Sequence, residues 1–275
     1  MRRIALAFLA ATTLSAGAAQ SAFAASATYN WSGWYLGLNG GGNWGTSHAS
    51  TTAANGFYFP YLSGFFFSFL CPGITSCNDA VASAGNQRFN TSGFTGGFQG
   101  GYNWQSGNIL VGIELDYQYF RSAGSKSVTV PFPSFPGLTM TVTTSMSTDW
   151  LFTARPRLGL VSSNWLFYGT GGLAVTRLKG TWSYTDNVFF PAASESASAS
   201  TTKVGWTVGG GVEVALPGNW LIGGEYLYVK FNKVSTTSTN LVLGPPTLGP
   251  DPTTVFSHSA DLASNIVRAR LSKKF

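Results

Sequence analysis

The chain has 275 residues, including 34 Gly, 9 Trp, 11 Tyr and 21 Phe, and only 9% are charged, against roughly 25% in a soluble domain. Its formal charge is +6, but apart from Arg2-Arg3 the basic residues cluster only at Lys273-Lys274, which argues against nucleic-acid binding. After the leader no stretch reaches the 18 or more apolar residues of a membrane helix, so a lipid-facing surface has to be built from strands.

The first element is an export signal. Arg2 and Arg3 form a basic start, Ile4 to Leu14 an apolar core, and Ala22-Phe23-Ala24 a cleavage site, so residues 1–24 read as a signal peptide and 25–275 as one β domain. A strand is expected over 34–44, with Gly40-Gly41-Gly42 inside it. Residues 45–93 then read as a long loop with the clusters Phe57-Tyr58-Phe59 and Phe65-Phe66-Phe67-Ser68-Phe69-Leu70. This loop also holds the two cysteines, Cys71 and Cys77. In an exported chain they are expected to form a small disulfide loop, because five intervening residues fit neither C-x-x-C redox chemistry nor a zinc site.

Strands are expected next over 94–105 and 109–120, joined by the short turn Ser106-Gly107-Asn108. Phe94, Phe98, Tyr102 and Trp104 alternate with Thr95, Gln99 and Asn103. Ile109 to Tyr119 alternate with Glu114, Asp116 and Gln118. A second long loop, 121–149, carries Val130-Pro131-Phe132-Pro133-Ser134-Phe135-Pro136. Strands 150–161 and 165–176 flank Ser162-Ser163-Asn164, and Pro156 within the first calls for a bulge or local break. After loop 177–202, strands 203–216 and 220–230 flank Pro217-Gly218-Asn219, and Gly209-Gly210-Gly211 lies within the former. Loop 231–263, with Leu241-Val242-Leu243-Gly244-Pro245-Pro246, leads to a last strand, 264–275. The turn residues Asn108, Asn164 and Asn219 lie 56 and 55 apart, the period of repeated hairpins.

Strands of about ten residues with period-two alternation, three short turns and four long loops define an all-β fold: an eight-stranded antiparallel transmembrane β-barrel with short periplasmic turns and four long extracellular loops. Trp34, Trp104, Trp165, Trp220 and Phe275 fall at periplasmic strand ends, and Trp44, Tyr119 and Trp150 at external ends, as two aromatic girdles. A soluble barrel would alternate too, but would need no girdles.

Inward-facing charges are the main candidate site. Glu114, Asp116, Arg155, Arg157, Glu213, Glu225, Arg268 and Arg270 share one height, in a barrel whose interior is just wide enough for side chains. Equal numbers of each sign favour a salt-bridge plug over an ion path. Eight other cations, Arg88, Arg121, Lys126, Arg177, Lys179, Lys203, Lys230 and Lys233, fall at or beyond external strand ends. There they are placed to contact lipopolysaccharide phosphates. The aromatic loop clusters read either as contacts for an external partner or as a lid over the barrel mouth. His48 and His258 both fall in loops. His258, Ser259 and Asp261 are too close in sequence to establish a catalytic triad. No catalytic residue, metal site or cofactor is expected.

Tyr29-Asn30-Trp31-Ser32-Gly33-Trp34-Tyr35-Leu36-Gly37 resembles the opening strand of the alphaproteobacterial outer-membrane immunogenic proteins, small porin-like barrels of the opacity-protein and OmpA-type superfamily. Gly96 to Gln105 is similar to their second strand, and Asn265 to Phe275 to their last. The resemblance implies a surface antigen of the Gram-negative outer membrane without catalytic residues. It also implies that Phe275 is the recognition signal for the barrel-assembly machinery, although Lys273 replaces the aromatic usual two positions earlier. The expected function is therefore a structural and interaction protein of the envelope, with a narrow passive pore, or a barrel enzyme acting on lipid or peptide, as alternatives.

Overall fold

The computed structural model describes residues 28–54, 74–188, 192–244 and 249–275. The elements run β1 (Gly33–Ala54), α1 (Ile74–Gly85), β2 (Gln87–Ser106), β3 (Ile109–Phe120), β4 (Ala123–Phe132), β5 (Phe135–Ser162), β6 (Trp165–Asp186) and β7 (Ser194–Leu216). They continue with β8 (Trp220–Ser238), β9 (Leu241–Leu243), β10 (Gly249–Asp251) and β11 (Val255–Lys274). Eight of the strands close a ring in the order β7-β6-β5-β3-β2-β1-β11-β8, and β8 pairs back onto β7, every pair antiparallel. Closure satisfies each strand's backbone without an edge, the condition for crossing hydrocarbon.

All eight expected strands are present, and the three short turns join β2 to β3, β5 to β6 and β7 to β8. Gly107, Ser163, Gly218 and Asn219 take positive φ there, the conformation that tight hairpins demand and that Gly and Asn supply most cheaply. β1 pairs with β11 from Tyr35↔Lys274 upward, so both ends of the barrel domain lie on the side of the short turns.

The expected upper strand ends were too low. β1 runs 22 residues, β5 28 and β6 22, against the roughly 9–11 that cross a bilayer. Of the segments read as loops, 121–149, 177–202 and 231–263 are mostly strand, 45–93 is strand at 45–54 and 87–93, and 123–147 forms a β4–β5 hairpin above β3. Ser and Thr at the outward positions gave these segments the composition of a loop. Both histidines consequently lie in strands, His48 in β1 and His258 in β11.

Above the ring the wall divides. β2 meets β4 only at Ser92↔Ala123, and β7 leaves β8 above Gly205↔Phe231. Two four-stranded sheets, β4-β5-β6-β7 and β8-β11-β1-β2, then face each other as a sandwich. Pro156 produces a break rather than a bulge. The β5–β6 register is unshifted on either side of it, but the pairs at Arg155 and Pro156 are missing, and Thr170 Oγ1 donates to the freed Pro156 carbonyl (2.8 Å). A true register shift falls instead between Thr148 and Leu151.

Gly41 faces inward on β1, where a Cβ would stand 1.9 Å from the Val267 carbonyl oxygen of β11. At Gly209 it would stand 2.0 Å from the Tyr226 oxygen. Gly41, central in its triplet, and Gly209, first in its own, thus allow close strand coiling in a narrow cylinder.

The topology fixes sidedness. In a background with Cys71 and Cys77 replaced by Ser, Pro252→Cys in the exposed connection before β11 should react with an impermeant maleimide on intact cells. Ser106→Cys in the β2–β3 turn should react only after outer-membrane permeabilisation. The opposite pattern would invert the orientation.

Candidate functional site

The lumen is filled in successive levels. At the periplasmic end Trp31, Tyr35, Leu110, Leu166, Tyr168 and Leu221 form an apolar floor. The segment before β1 helps to build it. The Tyr29 amide donates to the Ser163 carbonyl (3.0 Å) and the Trp31 amide to Gln105 Oε1 (2.7 Å), so residues 29–31 cross the mouth and Trp31 is fully buried. Nothing in the alternation of the first strand signalled this strap, because it precedes the strand.

The eight predicted charges meet directly above. Arg155 contacts Glu114 (2.6 Å), Asp116 (2.8 Å) and Glu225 (3.2 Å). Arg157 contacts Glu213 (3.1 Å) and Glu114 (3.4 Å). Arg268 contacts Glu225 (2.6 Å) and Asp116 (3.2 Å). Arg270 contacts Glu225 (2.7 Å), Glu213 (3.2 Å) and Glu114. All eight are buried. Neutral partners that sequence reasoning passed over complete the network. Tyr35 donates to Glu114 (2.6 Å), Tyr168 to Glu225 (2.9 Å) and Thr153 to Asp116 (2.6 Å), and Asn103 Oδ1 accepts from Arg157 (2.9 Å). Their inward position in the alternation, at the height of the charges, was the available signal.

Above the charges a second apolar level spans both sheets, with Phe89, Phe120, Leu151, Leu178, Phe231 and Ile266 among its members. A polar set follows on its upper side. His258 Nδ1 lies 3.0 Å from Thr51 Oγ1 and its Nε2 3.3 Å from Glu195 Oε1, the Ser238 hydroxyl donates to the same Glu195 oxygen, and Trp182 stacks on the imidazole. This set joins β7 to β8 and β11 where the β7–β8 ladder has ended. The top level combines Val81 and Ala84 of α1 with Phe132, Val142, Leu241 and Phe256.

These positions settle several loop expectations. Phe132, Leu241 and Leu243 are buried and pack inward, whereas Pro131, Pro133, Ser134, Phe135 and Pro136 are exposed and Pro245-Pro246 lie outside the described residues. The aromatic clusters of 57–70 and Cys71 lie outside the described residues; Cys77 is disulfide-bonded. The sequence-adjacent His258, Ser259 and Asp261 do not converge. His258 is buried inside, while Asp261 faces outward and accepts from the His48 amide (2.9 Å). Strand alternation sends neighbours 258 and 259 to opposite faces.

The outer surface has two bands. From the short turns upward it is apolar: Leu36, Phe98, Ile113, Leu158, Phe167 and Ile222 are exposed, bounded below by Trp34, Trp104, Trp165, Trp220 and Phe275 and above by Trp44, Tyr119 and Trp206, with Trp150 half-buried. Arg88, Arg121, Arg177, Lys179, Lys230 and Lys233 lie outward at or above the upper edge of this belt, within strands or beside them rather than at barrel ends. Lys179 is paired with Asp149 (2.5 Å). Lys203 stands opposite the buried Thr176 and so faces the lumen side. Lys126 shares the inward parity of Val128 and Phe132, and its ammonium donates to the Arg88 carbonyl (3.2 Å) across the β2–β4 seam.

A closed antiparallel ring, apolar outside and filled inside, defines a transmembrane β-barrel of the outer-membrane type. Residues 6–244 match the family described as outer membrane protein beta-barrel domain, and the chain belongs to that family. It is 32% identical over 208 residues to the 31 kDa outer-membrane immunogenic protein of Brucella melitensis, covering 75% of this chain and 73% of that protein. It is 30% identical over 142 residues to the 22 kDa outer membrane protein of Rhizobium leguminosarum bv. viciae, covering 51% and 54%. The crystal structure of Neisserial surface protein A matches at a TM-score of 0.32 and 13% identity, covering 89% of this chain and 98% of that one. The protein is placed in the outer membrane by this membership.

One group in the external part has a testable titration. Asp186, at the top of β6, accepts from the Tyr184 hydroxyl (2.8 Å) and the Val188 amide (3.0 Å), and burial pushes its carboxyl up to about 7, the amide opposing. A folded value above the unfolded one means its stabilising contribution is complete below the ordinary carboxylate range and is lost as pH rises through about 7. The thermal midpoint should therefore fall between about pH 5 and about pH 8.5, and Asp186→Asn should flatten that slope. An unchanged slope in Asp186→Asn would assign the pH dependence elsewhere.

Proposed function

We propose that the protein is a closed structural and interaction barrel of the outer membrane, a surface component that anchors in lipopolysaccharide and conducts no solute. The observation that carries this is the filling of the lumen at every level, from Trp31 through the charge network to Phe256. The charges are one seal among several, since apolar levels lie on both sides of them. A barrel enzyme finds little support, because His258 and Asp261 face opposite sides of the wall.

The outer contact rests on the cations above the belt. Arg121, Arg177 and Lys230 are exposed at the upper edge of the apolar belt, the height at which lipid A phosphates would meet them. Each such contact contributes about 1 kcal/mol, so the effect is cumulative and salt-sensitive. The C-terminal strand, ending on the outward and exposed Phe275, suits docking to the assembly machinery.

In planar bilayers the refolded protein should show no steady conductance. Arg155→Ser with Arg157→Ser should lower its stability by roughly 3–5 kcal/mol, the usual consequence of stranding buried charges, and still leave the bilayer silent. A stable wild-type conductance would overturn the closed-barrel reading in favour of a pore. For the lipid contact, Arg121→Gln, Arg177→Gln and Lys230→Gln together should lower the thermal midpoint in lipopolysaccharide-containing membranes and leave it unchanged in neutral detergent. Equal losses in both media would show that these residues support the fold instead.

A further inference from the structure

Above the cations the outward face of the wall becomes a collar of hydroxyls in register. Across β4–β7 the strand pairing aligns Ser127, Thr143, Ser183 and Ser196 in one row. Thr129, Thr141, Thr185 and Ser194 form the next row outward. On the opposite sheet Thr52, Ser257 and Thr237 align in the same way. Within the rows hydroxyls bond to one another, Ser127 to Thr143 at 2.7 Å and Thr129 to Thr141 at 2.8 Å. Below the first row, between it and Ser145, Thr181 and Ser198, runs a shallow groove of about 420 Å³ that Trp182 and Ala197 also line.

Two features of this collar select its neighbour. A water-facing wall ordinarily carries roughly 25–35% Lys, Arg, Glu and Asp, and none of the row positions is charged. A protein partner is held by buried aromatic, Met and Arg anchors, and none of the row positions is aromatic. The collar also occupies both sheets, which suits a surrounding medium better than a discrete partner on one face. It starts just above the cations: Lys179 pairs across the wall with Ser147 and Ser200, two steps below the first of these rows, with Ser145, Thr181 and Ser198 aligned between them. What lies outward of lipid A phosphates is the sugar chain attached to the same molecule. Ser and Thr hydroxyls both donate and accept, and strands place them about 4.8 Å apart across the sheet and about 6.8 Å apart along it, a lattice to which saccharide hydroxyls can bond.

We propose that the collar is a saccharide-facing surface that beds the core sugars of the outer-leaflet glycolipid; the proposal extends the reading of the cations as phosphate contacts. The test uses the full mature chain reconstituted in three membranes: phospholipid alone, phospholipid with lipid A, and phospholipid with lipopolysaccharide bearing the core oligosaccharide on the same lipid A. The wild-type thermal midpoint should rise at the first step through phosphate and again, by about 3 °C, at the second through sugar. Ser127→Ala, Thr143→Val, Ser183→Ala and Ser196→Ala combined should keep the first gain and lose at least half of the second. Hydrogen exchange of the wild type supplies a measurement independent of that variant's folding, with residues 181–185 and 194–200 slowed by core-bearing lipid and not by lipid A. A wild type that gains nothing from core sugars, or a variant that keeps the whole second gain, overturns the proposal. A second gain and slowed exchange without the first would support the collar and remove the phosphate contacts alone.

Discussion

All eight strands of the ring contribute a side chain to one buried polar network. Tyr35 comes from β1, Asn103 from β2, Glu114 and Asp116 from β3, Arg155 and Arg157 from β5, and Tyr168 from β6. Glu213, Glu225, and Arg268 with Arg270 come from β7, β8 and β11. A slip of one residue in any pairing turns that strand's inward set to lipid. Here it would place a charge or a hydrogen-bonding group in hydrocarbon and leave its partners unpaired. Hydrophobic filling alone would tolerate several registers, because Leu, Val and Phe substitute for one another in a packed interior. Buried ion networks add little net stability over apolar packing, so the contribution of this one lies in register and closure.

Closure also explains why the remainder of the interior is apolar. Where the ring is complete, the cylinder is only as wide as its own side chains. Where the β2–β4 and β7–β8 ladders end, the two sheets separate and have to be held as a sandwich, through a core of aromatic and aliphatic residues. The seams are then closed by side chains in place of backbone: Lys126 to the Arg88 carbonyl on one side, and Glu195 with Ser238 and His258 on the other. α1 packs with the top level of this core.

The ring was legible in the sequence because its signals are local. Alternation set the strands, Gly and Asn set the short turns, and the shared height of Glu114, Arg155, Glu213 and Arg268 followed from counting up from those turns. The upper half was not legible for a chemical reason. Outside the lipid belt an outward strand position needs only to be polar, and Ser and Thr there gave 177–202 and 231–263 the look of loops. The inward positions did retain a pattern, with Met140, Val142 and Met146 alternating against Thr139, Thr141, Thr143 and Ser145, but its amplitude is small when Thr occupies both faces. The strap at 29–31 and the Glu195–His258 contact are long-range and left no periodic trace.

Period two lets each strand carry two independent specifications. The inward residues answer to the fold: floor, charges, apolar level and lid follow one another along every strand, and a change in one disturbs its neighbours across the lumen. The outward residues answer to what surrounds the barrel: apolar side chains, then cations, then uncharged hydroxyls. A change there breaks few internal contacts. Outward positions above the belt are therefore where the envelope, rather than the packing, sets residue identity. A wall that met only water would have little reason to keep its charge so low over so many consecutive positions, since Lys and Glu serve solubility at least as well as Ser and Thr. The hydroxyl rows on both sheets, set above the cations, thus carry information about the barrel's surroundings that the filled lumen does not.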